Sequence, residues 1–75
     1  MTNSLPKPGE LWKAITDSST YWTIEKDQWG IRHFMPIGSI LFITDTKNKD
    51  IYFLLGEKHY RSSIYEFLDK RYKKL

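Results

Sequence analysis

The chain has 75 residues, of which 40% are hydrophobic and 16% aromatic, and it contains no cysteine. This length fits one domain, the apolar fraction predicts a packed core, and the lack of cysteine excludes disulfides and thiol chemistry. The formal charge is +3. The first 56 residues hold six cationic and six anionic side chains, so the whole excess lies in residues 57–75.

The N-terminal half predicts strands joined by polar turns. Residues 1–9 form an extended lead-in, because two prolines and a glycine forbid a helix there. The β-branched and aromatic composition of the next segments predicts strands over residues 10–16 and 20–26. Residues 27–30 are predicted to form a turn, and residues 31–35 either a short strand or an irregular loop.

The middle of the chain predicts an antiparallel meander. Residues 39–44 (SILFIT) are almost continuously apolar, which is expected of a strand covered on both faces. A polar tip over residues 45–50 leads to a partner strand over residues 51–55. Gly56 and Glu57 then fit a two-residue turn into a third strand over residues 58–61.

The C-terminal segment changes to a helical period. Ile64, Phe67 and Leu68, continued by Arg71 or Tyr72, follow the spacing of an apolar helix stripe, which predicts a short helix over residues 63–72. Ser63 and Glu66 have the spacing of a capping box, in which each side chain satisfies a backbone donor of the first turn.

The order of these elements resembles a known family of small β proteins. The segments that carry the resemblance are residues 8–12 (PGELW), 36–41 (PIGSIL), 51–55 (IYFLL) and 60–67 (YRSSIYEF). They resemble the small SH3-like barrels of bacteriophage accessory proteins, over about residues 8–72. The resemblance implies a mainly β fold: an antiparallel barrel of about five strands with one short C-terminal helix, forming a single domain over residues 10–75. The ALYDY-like segment and Trp-Trp pair of proline-binding SH3 domains are not present, so no such ligand is implied.

Catalytic and cofactor motifs find no support in the sequence. The two histidines, His33 and His59, are 26 residues apart and do not have the close spacing of a structural zinc site. There is no G-x-S-x-G elbow and no glycine-rich phosphate loop. We therefore expect no catalytic residue, no metal and no cofactor, and we interpret the chain as a non-catalytic protein.

Recognition of a macromolecule is the function that the sequence favours. Trp29 lies in a predicted turn near Arg32 and His33, a composition enriched at protein-binding hot spots, although Trp29 could equally close one end of the core. The leading interpretation is a protein-binding module, and the phage resemblance implies an accessory protein that binds and inhibits a host macromolecule.

The alternative is a nucleic-acid-binding barrel. The pI of about 9.2 and the surplus of aromatic side chains favour it. Its phosphate contacts would come from the C-terminal basic residues, which are Lys70, Arg71, Lys73 and Lys74. The same residues could instead complement the dipole at the end of the predicted helix.

No membrane contact is expected, because the longest apolar run is Ile51–Leu55, far below the ~20 residues that span a bilayer. No secretory apolar region follows Met1. We expect a cytoplasmic monomer or small homo-oligomer, in the host cytoplasm if the protein is phage-encoded.

Overall fold

The computed structural model describes residues 5–25 and 28–75 of the chain, with the backbone alone at residues 25, 28 and 29. This part of the chain forms one antiparallel sheet of seven strands and one short helix. In chain order the elements are β1 (Leu11–Ala14), β2 (Thr20–Glu25), β3 (Gln28–Phe34), β4 (Ile40–Lys47), β5 (Asp50–Leu55), β6 (Lys58–Ser63), α1 (Ile64–Leu68) and β7 (Tyr72–Lys74). The mainly β fold with a short helix near the C-terminus is confirmed, but the sheet has seven strands rather than about five.

The strand order across the sheet is β3-β2-β6-β5-β4-β1-β7. The predicted meander is confirmed as β4, β5 and β6, which pair consecutively. Two-residue turns join these strands, and their first residues, Asn48 and Gly56, have positive φ angles of 57° and 66°. Such left-handed positions suit glycine and asparagine, as tight hairpins require.

Several boundaries differ from the prediction. The polar tip predicted over residues 45–50 is wrong for most of its length, because β4 continues to Lys47 and β5 begins at Asp50. The predicted turn over residues 27–30 is wrong for Trp29, which lies in β3 with its backbone paired to Ile24 of β2. The predicted helix over residues 63–72 is too long. It ends at Leu68, because Lys70 takes a left-handed conformation (φ 59°) and the chain then turns into β7, which pairs with β1.

The core lies on one face of the sheet, called here the inner face. Irregular pairing in β2–β3 and β4–β5 marks bulges, which increase the twist and bend of a sheet. α1 covers the inner face with Phe67, whose ring lies 5.3 Å from that of Trp12 and stacks at 4.4 Å on that of Tyr72. The buried hydrophobic residues are Trp12, Ala14, Met35, Leu41, Ile43, Ile51, Phe53, Phe67 and Tyr72.

Polar contacts fix the start of α1. The Ser63 side chain accepts a hydrogen bond from the Tyr65 N–H at 3.2 Å, which confirms Ser63 as the N-cap. The other half of the predicted capping box is wrong, because the buried Glu66 carboxylate bonds elsewhere. Its Oε1 accepts from the Thr20 N–H (2.9 Å) and hydroxyl (2.8 Å), and its Oε2 from Arg71 (2.8 Å). Glu66 therefore connects α1 to the start of β2.

Within the described residues, no helix has the length and apolar character needed to cross a bilayer.

The Phe67 ring is expected to stabilise the whole fold, because it is the main apolar side chain that α1 places in the core. Phe67→Ala should lower the free energy of unfolding by about 3–5 kcal/mol, the usual range for a buried phenylalanine. Urea unfolding followed by tryptophan fluorescence measures the change. Tyr65→Ala is the matched control on the same helix, since Tyr65 is 54% exposed. Equal losses for the two variants would contradict this assignment of the core.

Candidate functional site

The interior strand β4 leaves one of its apolar faces in contact with solvent. Leu41 and Ile43 point into the core and are fully buried, whereas Ile40 and Phe42 alternate with them and are each 42% exposed. The prediction that residues 39–44 are covered on both faces is therefore wrong. The physical reason is that α1, five residues long, packs on the inner face, and no described helix lies over Phe42 on the other face, called here the outer face.

Apolar side chains continue across the outer face in strand register. Phe42 lies opposite Leu11 of β1 on one side and opposite Leu54 of β5 on the other. Leu75, just after β7, donates its N–H to the Leu11 carbonyl at 2.9 Å and so lies opposite Leu11. Directly paired residues point to the same face of a sheet. Leu75, Leu11, Phe42 and Leu54 thus form one line, called here the apolar row.

Two lysines lie beside the apolar row. Lys13 of β1 lies directly opposite Lys73 of β7 and, on its other side, opposite Ile40 of β4. Among the described side chains neither lysine makes an ion pair. Like charges placed directly opposite one another destabilise a sheet. An anionic group bound between them would remove this repulsion.

A second outer-face row combines arginine and aromatic side chains. Trp22 lies between Arg32 of β3 and Arg61 of β6, and Arg61 in turn lies opposite Tyr52 of β5. Arg32 is exposed, and its guanidinium carbon lies 5.6 Å from the centroid of the Phe34 ring. Arg61 is different, because it is only 8% exposed.

The structure does not bring the predicted protein-binding residues to one surface. Arg32 points to the outer face, whereas His33 points to the inner face and stacks on Tyr21 with ring centroids 5.2 Å apart. Tyr60 completes this group, and burial, followed by the proximity of Tyr60, raises the pKa of Tyr21. The Trp29 backbone lies in β3, but its side chain is outside the described residues, so its predicted role stays a prediction.

The predicted basic residues also separate in space. Arg71 forms salt bridges with Glu66 at 2.8 Å and with Asp69 at 3.5 Å. Lys74 bridges to Glu10 at 3.0 Å, whereas Lys73 joins Lys13 on the outer face. The alternative interpretation of these residues as partners of the helix dipole is wrong, because α1 ends at Leu68 and its last turn holds no basic residue.

The two histidines lie on opposite faces. His59 is exposed on the outer face, opposite Leu54, and its Nε2 shares a hydrogen bond with the Thr44 hydroxyl. His33 lies in the inner aromatic group. This arrangement gives no support to a shared metal site between them.

Comparisons of the chain with protein-family models, with curated proteins and with solved structures find no significant match. The resemblance to phage SH3-like proteins therefore stays a prediction.

The apolar row was missed by sequence reasoning, although its signal was present. The continuous apolar stretch at residues 39–44 predicts burial on both faces only if the chain itself supplies a layer that covers the second face. The same pattern is also typical of a strand whose second face is covered by another molecule.

The Glu10 side chain connects the N-terminal lead-in to β1 and β7. Its carboxylate accepts hydrogen bonds from the Lys7 N–H (2.9 Å) and the Trp12 ring N–H (3.1 Å), and it pairs with Lys74 (3.0 Å). Burial alone would raise the pKa of Glu10. The hydrogen bonds from Lys74, Lys7 and Trp12 outweigh burial, so the pKa lies below its usual value.

This lowered pKa predicts a pH dependence of stability. The folded state favours ionised Glu10, so its contribution is present above the pKa of the unfolded chain and is lost as the pH falls through the folded value. Glu10→Gln should lower the unfolding free energy at pH 7, and its difference from the wild type should shrink below about pH 4. Glu57→Gln, at an exposed turn, is the control. A difference that stays constant between pH 7 and pH 3 in urea titrations would contradict this role.

Proposed function

We propose that this chain is a non-catalytic protein-binding module that binds its partner on the outer face. The single observation that carries this proposal is the exposure of Phe42 in the middle of a strand that is apolar on both sides. A strand of this composition is normally buried on both faces. The apolar row extends this exposed surface over β7, β1 and β4 to the half-buried Leu54 of β5, which is continuous enough to form the centre of an interface.

The positive charge of two lysines next to the apolar row indicates what kind of surface the partner has. Lys13 and Lys73 face one another, and neither forms an ion pair among the described side chains. A protein surface with apolar side chains at its centre and carboxylates at its rim would cover the row and separate the two lysines. The apolar contact would supply most of the affinity, and the rim charges would mainly speed association.

A nucleic acid is the second candidate ligand, and the Arg32–Trp22–Arg61–Tyr52 row favours it. Alternating cations and aromatic rings are the composition of a surface on which bases stack. The protein partner is favoured over it for two reasons. Arg61 is 8% exposed and does not reach out to a phosphate, and Arg71 and Lys74 are already held by carboxylates.

The wider part of the proposal concerns the biological setting. An SH3-like barrel, a phage origin and the inhibition of a host protein in the cytoplasm rest on the sequence resemblance alone.

Substitution at the centre of the apolar row should strongly weaken binding while the fold is kept. The purified wild-type protein is used to capture nuclease-treated bacterial lysate, and the captured protein is then purified and measured in a binary titration. Phe42→Glu should weaken that complex by about 30-fold or more, the scale of a hot spot of ~2 kcal/mol. Ile37→Glu is the matched control, because Ile37 is 62% exposed in the loop before β4.

Lys13→Glu tests the charge argument in the same titration and should slow association with a smaller effect on dissociation.

Equal affinities of Phe42→Glu and Ile37→Glu would contradict the proposal. So would salt-sensitive binding of the wild-type protein to a fluorescent dT20 oligonucleotide, with a log–log slope of about −0.7 per phosphate contact, because it would favour the nucleic-acid candidate.

A further inference from the structure

The free edge of β3 is the most exposed apolar part of the sheet. β3 lies at the end of the strand order, so one of its sides has no neighbouring strand among the described residues. Phe34 is 67% exposed and Ile31 is 66% exposed, more than any other large apolar residue that the structure describes. A long, exposed and apolar edge is a template for pairing with another strand.

The hydrogen bonds of β3 show which backbone groups are available at this edge. The N–H groups of Ile31 and Met35 point towards β2, where they donate to the Thr23 hydroxyl and the Ser19 carbonyl, both at 2.8 Å. Backbone groups alternate in direction along an antiparallel strand. The N–H and carbonyl groups of Arg32 and Phe34 therefore point away from β2, to the open side.

We propose that two copies of this chain associate through β3, as antiparallel edge strands related by a twofold axis at His33. In this register Arg32 of each copy lies opposite Phe34 of the other, and the two residues exchange both of their backbone hydrogen bonds. The segment 31–35 is centred on His33, so the available backbone groups of the two copies match about the axis. The association is independent of the proposed protein-binding function.

Two neighbouring registers are less favourable. An axis at Arg32 would place two guanidinium groups directly opposite one another, which is repulsive. An axis at Phe34 would place Arg32 opposite Pro36, which has no N–H to donate. The His33 axis instead places a cation opposite an aromatic ring, on the same outer face on which Arg32 already lies 5.6 Å from the Phe34 ring of its own chain.

The other edge of the sheet limits the assembly to two copies. β7 has three residues, and Lys73 and Lys74 are two of them. Short, lysine-bearing edges resist further strand pairing. A twofold interface is closed because each copy uses the same surface. The apolar row lies on β7, β1, β4 and β5, away from β3, so it stays open to its partner in the dimer.

A single cysteine tests the axis directly, because the chain has no native cysteine. His33 would face its counterpart in a non-hydrogen-bonded pair with the Cα atoms about 4.5 Å apart, within the ~4.4–6.8 Å that a disulfide spans. His33→Cys should therefore form a covalent dimer under mild oxidation, seen on a non-reducing gel. Ile37→Cys, exposed but outside β3, is the control. Equal rates of dimer formation in the two variants would overturn the proposal.

A pair of opposite charges at Phe34 tests the register without relying on oxidation. Phe34→Glu would place a carboxylate opposite Arg32 of the second copy and should keep the dimer, whereas Phe34→Lys would place two cations there and should give a monomer. Sedimentation velocity at about 100 µM, with thermal midpoints to confirm that both variants fold, measures the outcome. A monomeric wild-type protein, or the same oligomeric state in both variants, would overturn the proposal.

Discussion

The structure depends on one constraint. A single sheet has two faces, and the described part of this chain has enough apolar side chains to cover one of them. The bulged sheet packs its inner face with its own side chains and with Phe67 of α1. A helix of five residues cannot also reach the outer face. The alternation along β4 then leaves Phe42 and Ile40 in contact with solvent. The exposed apolar row therefore follows from the same packing that buries the core.

Polar contacts hold segments near both ends of the chain to this sheet. Glu66 is a buried carboxylate, and its bonds to Thr20 and Arg71 compensate the loss of water around it. The Glu10 carboxylate similarly forms a salt bridge with Lys74. These contacts neutralise two of the cations that the sequence offers as phosphate contacts. Of the other two cations in that set, Lys73 lies beside the apolar row, opposite Lys13, and Lys70 is exposed after the end of α1.

The sequence predicts much of the fold because local signals dominate there. The apolar runs of β4 and β5, the glycine turn at Gly56 and the Ser63 cap all act over a few residues, and the structure has each of them. Pairing between distant segments is harder to predict. Nothing near Tyr72 indicates that it starts a strand, because its partner, Ala14, lies far away in the sequence. Glu66 has the sequence spacing of a capping box, but its carboxylate accepts hydrogen bonds from Thr20, 46 residues away. The candidate site has a local signal only in β4, whose apolar run includes Phe42. The row itself cannot be predicted from local signals, since Leu75, Leu11, Phe42 and Leu54 become neighbours only through strand register.

We propose that the outer face around Phe42 contacts a protein. Site-specific photo-cross-linking tests it most directly, with benzoylphenylalanine placed at position 42 or, as a control, at position 37 of the full chain. After irradiation in nuclease-treated bacterial lysate, we expect one discrete protein adduct from position 42 that is not formed from position 37. Adducts of equal yield from both positions, or an adduct at position 42 that forms in untreated lysate but not in nuclease-treated lysate, would contradict it.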